Sequence, residues 1–105
     1  MTTVNVAFHA NGTITEIAVN GHSDYGKNGS DIVCSAISTA MYVSLGLIKK
    51  VCPDYYFHED EKAPSMQLRI HQTNEFTNLI MENLVTTLQG ISKNYAQHLK
   101  IKLNK

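Results

Sequence analysis

The organisation of this chain is decided by residues 21–38, which read GHSDYGKNGSDIVCSAIS. The segment begins with a Gly-His pair at the end of a strand-like run and continues through a polar loop that contains Gly26 and Gly29. The Ser-Asp pair at 30–31 is typical of a helix N-cap, so we expect a helix to begin there, with Cys34 in its first turn. The segment therefore joins a strand that ends in a histidine to a helix that begins near a cysteine.

Cys34 is the candidate nucleophile of the chain. A helix N-terminus presents unpaired N–H groups and the positive end of the helix dipole, and both favour a thiolate there. The glycines of the loop would let the imidazole of His22 fold back onto the sulfur, and a thiolate with a histidine within reach is how a cysteine nucleophile is built. The alternative is that Cys34 is a core residue, because free cysteine is among the most buried residue types.

Asp31 and Ser38 are candidate supporting residues, and each has two interpretations. Asp31 could orient His22, or it could cap the helix by accepting a hydrogen bond from the Cys34 N–H three residues later. Ser38 lies one turn beyond Cys34 and could hydrogen-bond near the sulfur, or bond back to a carbonyl of its own helix. The backbone N–H of Val33 or Cys34 is expected to hold the oxyanion.

The loop itself is a candidate lid. Residues 23–30 are mostly polar, and only Tyr25 could anchor them in a core. Gly21, Gly26 and Gly29 are predicted hinges that would allow the loop to close over an extended peptide and bring His22 to the sulfur.

Length and charge narrow the class of protein. A chain of 105 residues makes one domain, here residues 1–105, and the formal net charge of zero argues against a dedicated nucleic-acid binder. We see no apolar run that suggests a membrane span and no signal-peptide pattern at the N-terminus, so we expect a cytoplasmic protein. Cys34 and Cys52 are expected to remain free thiols, since one helix would separate them by about 27 Å.

Periodicity predicts an α+β fold in the order ββαββαβ. Strict alternation marks the strands, with a bulge near Thr15-Glu16 reconciling Ile14 with Ile17, and apolar residues at helical spacing mark the helices. Two helices on one face of a mostly antiparallel sheet would make a two-layer sandwich. The expected strands are 2–9, 13–20, 55–58, 66–70 and 95–103, and the expected helices are 31–51 and 74–91.

The first predicted helix is apolar nearly all round, so one sheet cannot bury it and we expect a homodimer. The five histidines are scattered without metal-ligand spacing, and no C-x₂-C pattern occurs, so no metal or other cofactor is expected.

The residues quoted above resemble a known family. The Gly-His pair at 21–22, then Gly29, then Asp-Ile-Val-Cys at 31–34 with small residues behind it are similar to the ribosomal-processing cysteine protease family (Prp). The resemblance spans the whole chain in length and element order, and its specificity lies in residues 21–38. Members with this pattern are small bacterial cytoplasmic proteins. They remove a short N-terminal extension from a large-subunit ribosomal protein, the one numbered twenty-seven.

The resemblance implies a role for individual residues. His22 and Cys34 would be the catalytic pair, and Asp31 and Ser38 would support them. The family often has alanine after both the histidine and the cysteine, where this chain has serine, and this difference bears on fine substrate preference. The resemblance also implies an apolar, aromatic-rich segment before the scissile bond.

The sequence thus predicts a cysteine endopeptidase whose partner is a ribosomal protein precursor. We expect no cofactor, no direct contact with nucleic acid and no membrane. The alternative from another class is a non-enzymatic dimeric protein that binds the ribosome, with Cys34 in its core.

Overall fold

The computed structural model describes residues 1–21 and 31–105. These residues form the predicted order ββαββαβ. The elements are β1 (Thr2–Phe8), β2 (Ile14–Asn20), α1 (Ile32–Val51), β3 (Tyr55–Asp60), β4 (Ser65–Ile70), α2 (Glu75–Asn94) and β5 (Leu99–Asn104).

The strands form one five-stranded sheet in the order β3-β4-β2-β1-β5. Three of its four pairings are antiparallel, and β1 pairs with β5 in parallel. Both helices pack on the sheet, so the predicted two-layer α+β sandwich is confirmed. The buried core lies between the layers, and its largest members include Val4, Val6, Ile17, Leu68, Met41, Ile48, Met81, Leu84 and Leu88.

The hairpin of β1 and β2 contains the bulge that the sequence predicts. Ala7 pairs with Glu16 but Phe8 pairs with Ile14, which leaves Thr15 as the extra residue. The extra residue restores the phase of the alternation, so Ile14 and Ile17 are both buried although they are three residues apart.

Helix α1 is the central element of the core. Its inward face buries residues from Val33 to Ile48, and Lys49 and Lys50 lie in the last turn, where cations suit the helix dipole. By length and composition alone, α1 is apolar enough to cross a membrane. The prediction that no apolar run of this kind occurs in the chain is therefore not supported. The fold uses this apolar character for packing on α2 and the sheet.

The chain after α2 differs from the prediction. Helix α2 continues to Asn94 because the Tyr95 N–H still donates to the Ile91 carbonyl at 2.9 Å. Strand β5 therefore begins at Leu99 instead of residue 95. Near the end of this edge strand, Leu103 is 43% exposed.

Candidate active site

Asp31 occupies the N-cap position of α1. Its Oδ1 accepts hydrogen bonds from the backbone N–H groups of Val33 and Cys34, both at 3.0 Å. These bonds satisfy two of the donors that a helix N-terminus leaves unpaired. The cap fixes the residue at which the helix starts and therefore the place of Cys34 in its first turn.

The same bonds bear on the expected oxyanion site. Val33 and Cys34 direct their N–H groups at Asp31, so the donors predicted to bind the oxyanion are occupied by a carboxylate oxygen. Both N–H groups are thus already hydrogen-bonded in this structure, and their role as oxyanion donors stays a prediction.

Cys34 and Ser38 face a common cavity of about 300 Å³. The predicted supporting residue Ser38 thus lies beside the same space as the thiol. Apolar side chains from α1, β2 and β4 line part of the cavity, and carboxylates from the end of β3 and the turn after it line another part. The lining residues are Thr2, Val19, Gly21, Cys34, Ile37, Ser38, Tyr42, Glu59, Asp60, Glu61, Pro64, Ser65 and Met66.

The two cysteines have different surroundings. Both are free thiols, as predicted. Cys34 is half-buried at the cavity, whereas Cys52 is 2% exposed at the C-terminal end of α1, with its sulfur 3.9 Å from the Gln72 carbonyl oxygen. The environment of Cys52 is that of a core residue, and only Cys34 lines the cavity.

Tyr42 and Glu59 join α1 to β3 at one side of the cavity. The Tyr42 hydroxyl donates to the Glu59 carboxylate, and the tyrosine ring packs against Phe57 with centroids 6.2 Å apart. The hydrogen bond to Glu59 raises the pKa of Tyr42, and burial and the charges of Glu59 and Glu61 act in the same direction. Sequence reasoning did not single out this pair, although Tyr42 follows Cys34 and Ser38 at helical spacing.

Gly21 lies at the end of β2 and also lines the cavity. Its N–H donates to the Pro64 carbonyl at 2.9 Å, and its own carbonyl accepts from the Thr2 hydroxyl at 3.2 Å. Gly21, the residue that precedes His22 in the sequence, therefore lies in the wall of the same cavity that Cys34 lines. His22, Gly26 and Gly29, the other predicted catalytic and hinge residues, lie outside the described residues.

Comparison with known proteins identifies the family. The family model for cysteine protease Prp matches residues 1–100. The ribosomal processing cysteine protease Prp of Staphylococcus aureus is 27% identical over 105 residues, which cover 96% of this chain and 97% of that protein.

Solved structures share the fold. The S. aureus protease Prp with a covalently linked product peptide has a TM-score of 0.91 at 24% identity, with 99% of this chain and 100% of that chain covered. The same protease with a substrate peptide has a TM-score of 0.87 at the same identity and coverage. A Streptococcus mutans protein has a TM-score of 0.85 at 20% identity, with 98% and 93% covered.

The resemblance noted from residues 21–38 is thus confirmed over almost the whole chain. Since the match extends over residues 1–100 and includes the helix start that carries Cys34, the chain belongs to the Prp family of cysteine proteases.

Proposed function

We propose that this protease removes the N-terminal extension of a large-subunit ribosomal protein precursor, with Cys34 as nucleophile and His22 as general acid and base. The observation that carries the proposal is the position of Cys34. Its thiol is half-buried in the first turn of α1, beside a cavity whose wall includes the residue that precedes His22.

The reaction would follow the usual course for a thiol protease. The Cys34 sulfur attacks the scissile carbonyl carbon while His22 takes up the thiol proton, and the proton is then given to the leaving amine. Water hydrolyses the resulting thioester, with His22 accepting a proton from the water, and the free thiol is restored. Asp31 supports this chemistry by fixing the helix start.

The cavity suits a peptide with both apolar and basic residues. Val19, Ile37 and Met66 offer an apolar surface near the thiol, consistent with an apolar side chain beside the scissile bond. Glu59 and Glu61 give another part of the wall negative charge, which complements the basic segments with which RNA-binding proteins contact phosphate.

Intact-mass measurement after incubation with the extended ribosomal protein tests the proposal. We expect the wild-type protein to release the extension and Cys34→Ala to release none. His22→Ala should be at least about 100-fold slower, as for a general acid–base group. Cys52→Ala is the matched control and should cleave. Undiminished cleavage by Cys34→Ala, or an uncut precursor with the wild-type protein, would overturn the proposal.

The proposal includes a cytoplasmic homodimer without membrane or direct nucleic-acid contact. Two free thiols are consistent with a reducing compartment. On the outer side of the helix layer, Val43 is 59% and Leu79 is 64% exposed, and Leu47 and Phe76 are also exposed. A second copy would remove this apolar surface from water.

A further inference from the structure

We infer that Glu59 is a specificity-determining residue, which binds a basic side chain of the substrate about three to four residues from the scissile bond. Tyr42 is the positioning residue that holds the Glu59 carboxylate at the cavity. The inference rests on the proposed cleavage of a peptide by Cys34. It extends that proposal by giving the charge and the position of one side chain in the substrate.

The cavity that holds the thiol runs along α1. Cys34, Ser38 and Tyr42 line it at intervals of four residues, so they lie on the same side of the helix. At about 1.5 Å of rise per residue, Tyr42 lies about 12 Å beyond Cys34 along the helix axis. An extended peptide covers about 3.3 Å per residue. A substrate that passes along α1 from Cys34 therefore reaches Tyr42 after about three to four residues.

The sheet side of the cavity changes from apolar to negatively charged towards β3. Val19 pairs with Met66, and Met66 pairs with Glu59, so these residues form one row across β2, β4 and β3. All three line the cavity. Val19 is buried, whereas Glu59 at the end of the row is exposed and accessible to a side chain of the substrate.

Tyr42 fixes the carboxylate at the end of this row. Its hydroxyl donates to Glu59, and its ring packs against Phe57, which lies on the same side of β3 as Glu59. The hydrogen bond to Glu59 raises the pKa of Tyr42, so the hydroxyl stays protonated and remains a donor at neutral pH. One donor leaves the carboxylate with acceptor sites for a second partner. A side chain that is already held also loses less conformational freedom when it binds the substrate.

The negative charge of this wall is not compensated within the part of the chain that the structure describes. No lysine or arginine there forms an ion pair with Glu59 or Glu61. Asp60 is engaged by its own turn, because its Oδ1 accepts from the N–H groups of Lys62 at 2.9 Å and Ala63 at 3.3 Å. Glu59 is thus both fixed and available. A basic side chain placed against it gains a charge-assisted hydrogen bond, and an acidic one is repelled.

The test uses synthetic peptides that span the cleavage site of the extended ribosomal protein. One position at a time carries either lysine or norleucine, which has a similar length and no charge. We expect kcat/KM to be about fivefold higher for lysine at a single position about three or four residues from the scissile bond, the effect of one partly exposed charge pair. The difference should lie mainly in KM and should shrink in about 1 M salt, because salt screens exposed charges.

Variants assign this preference to named side chains. Glu59→Gln should bring the ratio of lysine to norleucine close to one, and Glu59→Lys should favour glutamate over lysine at the same position. Tyr42→Phe keeps the ring and removes the hydroxyl, so the ratio should fall to about twofold. Glu82→Gln is the matched control, because it removes an exposed carboxylate on α2 that does not line the cavity, and it should keep the wild-type ratio. Circular dichroism checks the fold of each variant.

The outcomes distinguish this inference from the function on which it rests. If the wild type cleaves no peptide, or Cys34→Ala cleaves as the wild type does, the proposed function fails. If cleavage depends on Cys34 but no position prefers lysine, or the preference survives in Glu59→Gln, only the specificity inference is overturned. An equal loss of preference in Glu82→Gln would also overturn it, since the effect would then be one of net charge. A wild-type ratio in Tyr42→Phe would refute the positioning role of Tyr42.

Discussion

Replacement of Asp31 separates its two candidate roles, which are capping of α1 and orientation of the His22 imidazole. In Asp31→Ala, the N–H groups of Val33 and Cys34 lose the oxygen that both of them bond at 3.0 Å. Loss of an N-cap side chain costs about 1 kcal/mol, within a range of about 0.5–2. For a domain of this size the unfolding entropy near the melting temperature is about 0.2 kcal/mol/K, so Tm should fall by about 5 °C.

Asp31→Asn is the informative partner of this variant. An asparagine caps a helix as well as an aspartate does, because its amide oxygen accepts the same bonds, but it carries no charge. We expect Tm within about 2 °C of the wild type and a cleavage rate within about threefold. A carboxylate that oriented the imidazole of His22 would instead give a slow enzyme of normal stability.

The assays are calorimetry and cleavage of the extended ribosomal protein well below Tm. Asn74→Ala is the matched control, because Asn74 caps α2 by accepting from Phe76 at 2.8 Å and Thr77 at 3.0 Å. It should lower Tm by a similar amount and leave the cleavage rate unchanged. The cap at Asn74 lies near the C-terminal end of α1, whereas Cys34 lies in the first turn of that helix. An unchanged Tm in Asp31→Ala, or an inactive Asp31→Asn of normal Tm, would refute the assignment of Asp31 as a cap alone.

Two further predictions concern the thiols and the helix layer. Brief iodoacetamide treatment and peptide mapping should show Cys34 labelled much faster than Cys52, because Cys52 is buried; equal labelling would contradict the nucleophile assignment. In sedimentation at micromolar concentration the wild type should be a dimer and Val43→Glu a monomer, while Leu103→Glu, an equally drastic change on β5, should remain dimeric. A monomeric wild type would refute the homodimer.

Local features of the fold were predictable because they depend on near neighbours in the sequence. The alternation in β1 and the out-of-phase Ile14 and Ile17 predicted the hairpin bulge, and pairing around Thr15 confirms it. The Ser-Asp pair at 30–31 predicted the start of α1 within one residue. In each case side-chain spacing, or hydrogen bonds to nearby backbone N–H groups, decide the conformation.

Features that depend on distant residues were not predictable in the same way. The parallel pairing of β1 with β5 joins the two ends of the chain, and no local pattern specifies it. The pair of Tyr42 and Glu59 is 17 residues apart and forms only when α1 packs beside β3. Gly46 in α1 is not explained by packing, because a Cβ there would meet nothing within 4 Å, and nothing in the described structure accounts for that glycine.

The candidate site combines both kinds of information. The place of Cys34 is set locally, by the cap that Asp31 provides three residues before it. The chain direction at Gly21 is set by distant partners, Thr2 and Pro64, and the sequence around the glycine shows neither. The two attachment points of the proposed catalytic pair are thus anchored independently of each other. Their relative position is determined by how α1 packs on the sheet, so the rigidity of that packing contributes directly to the geometry that the reaction requires.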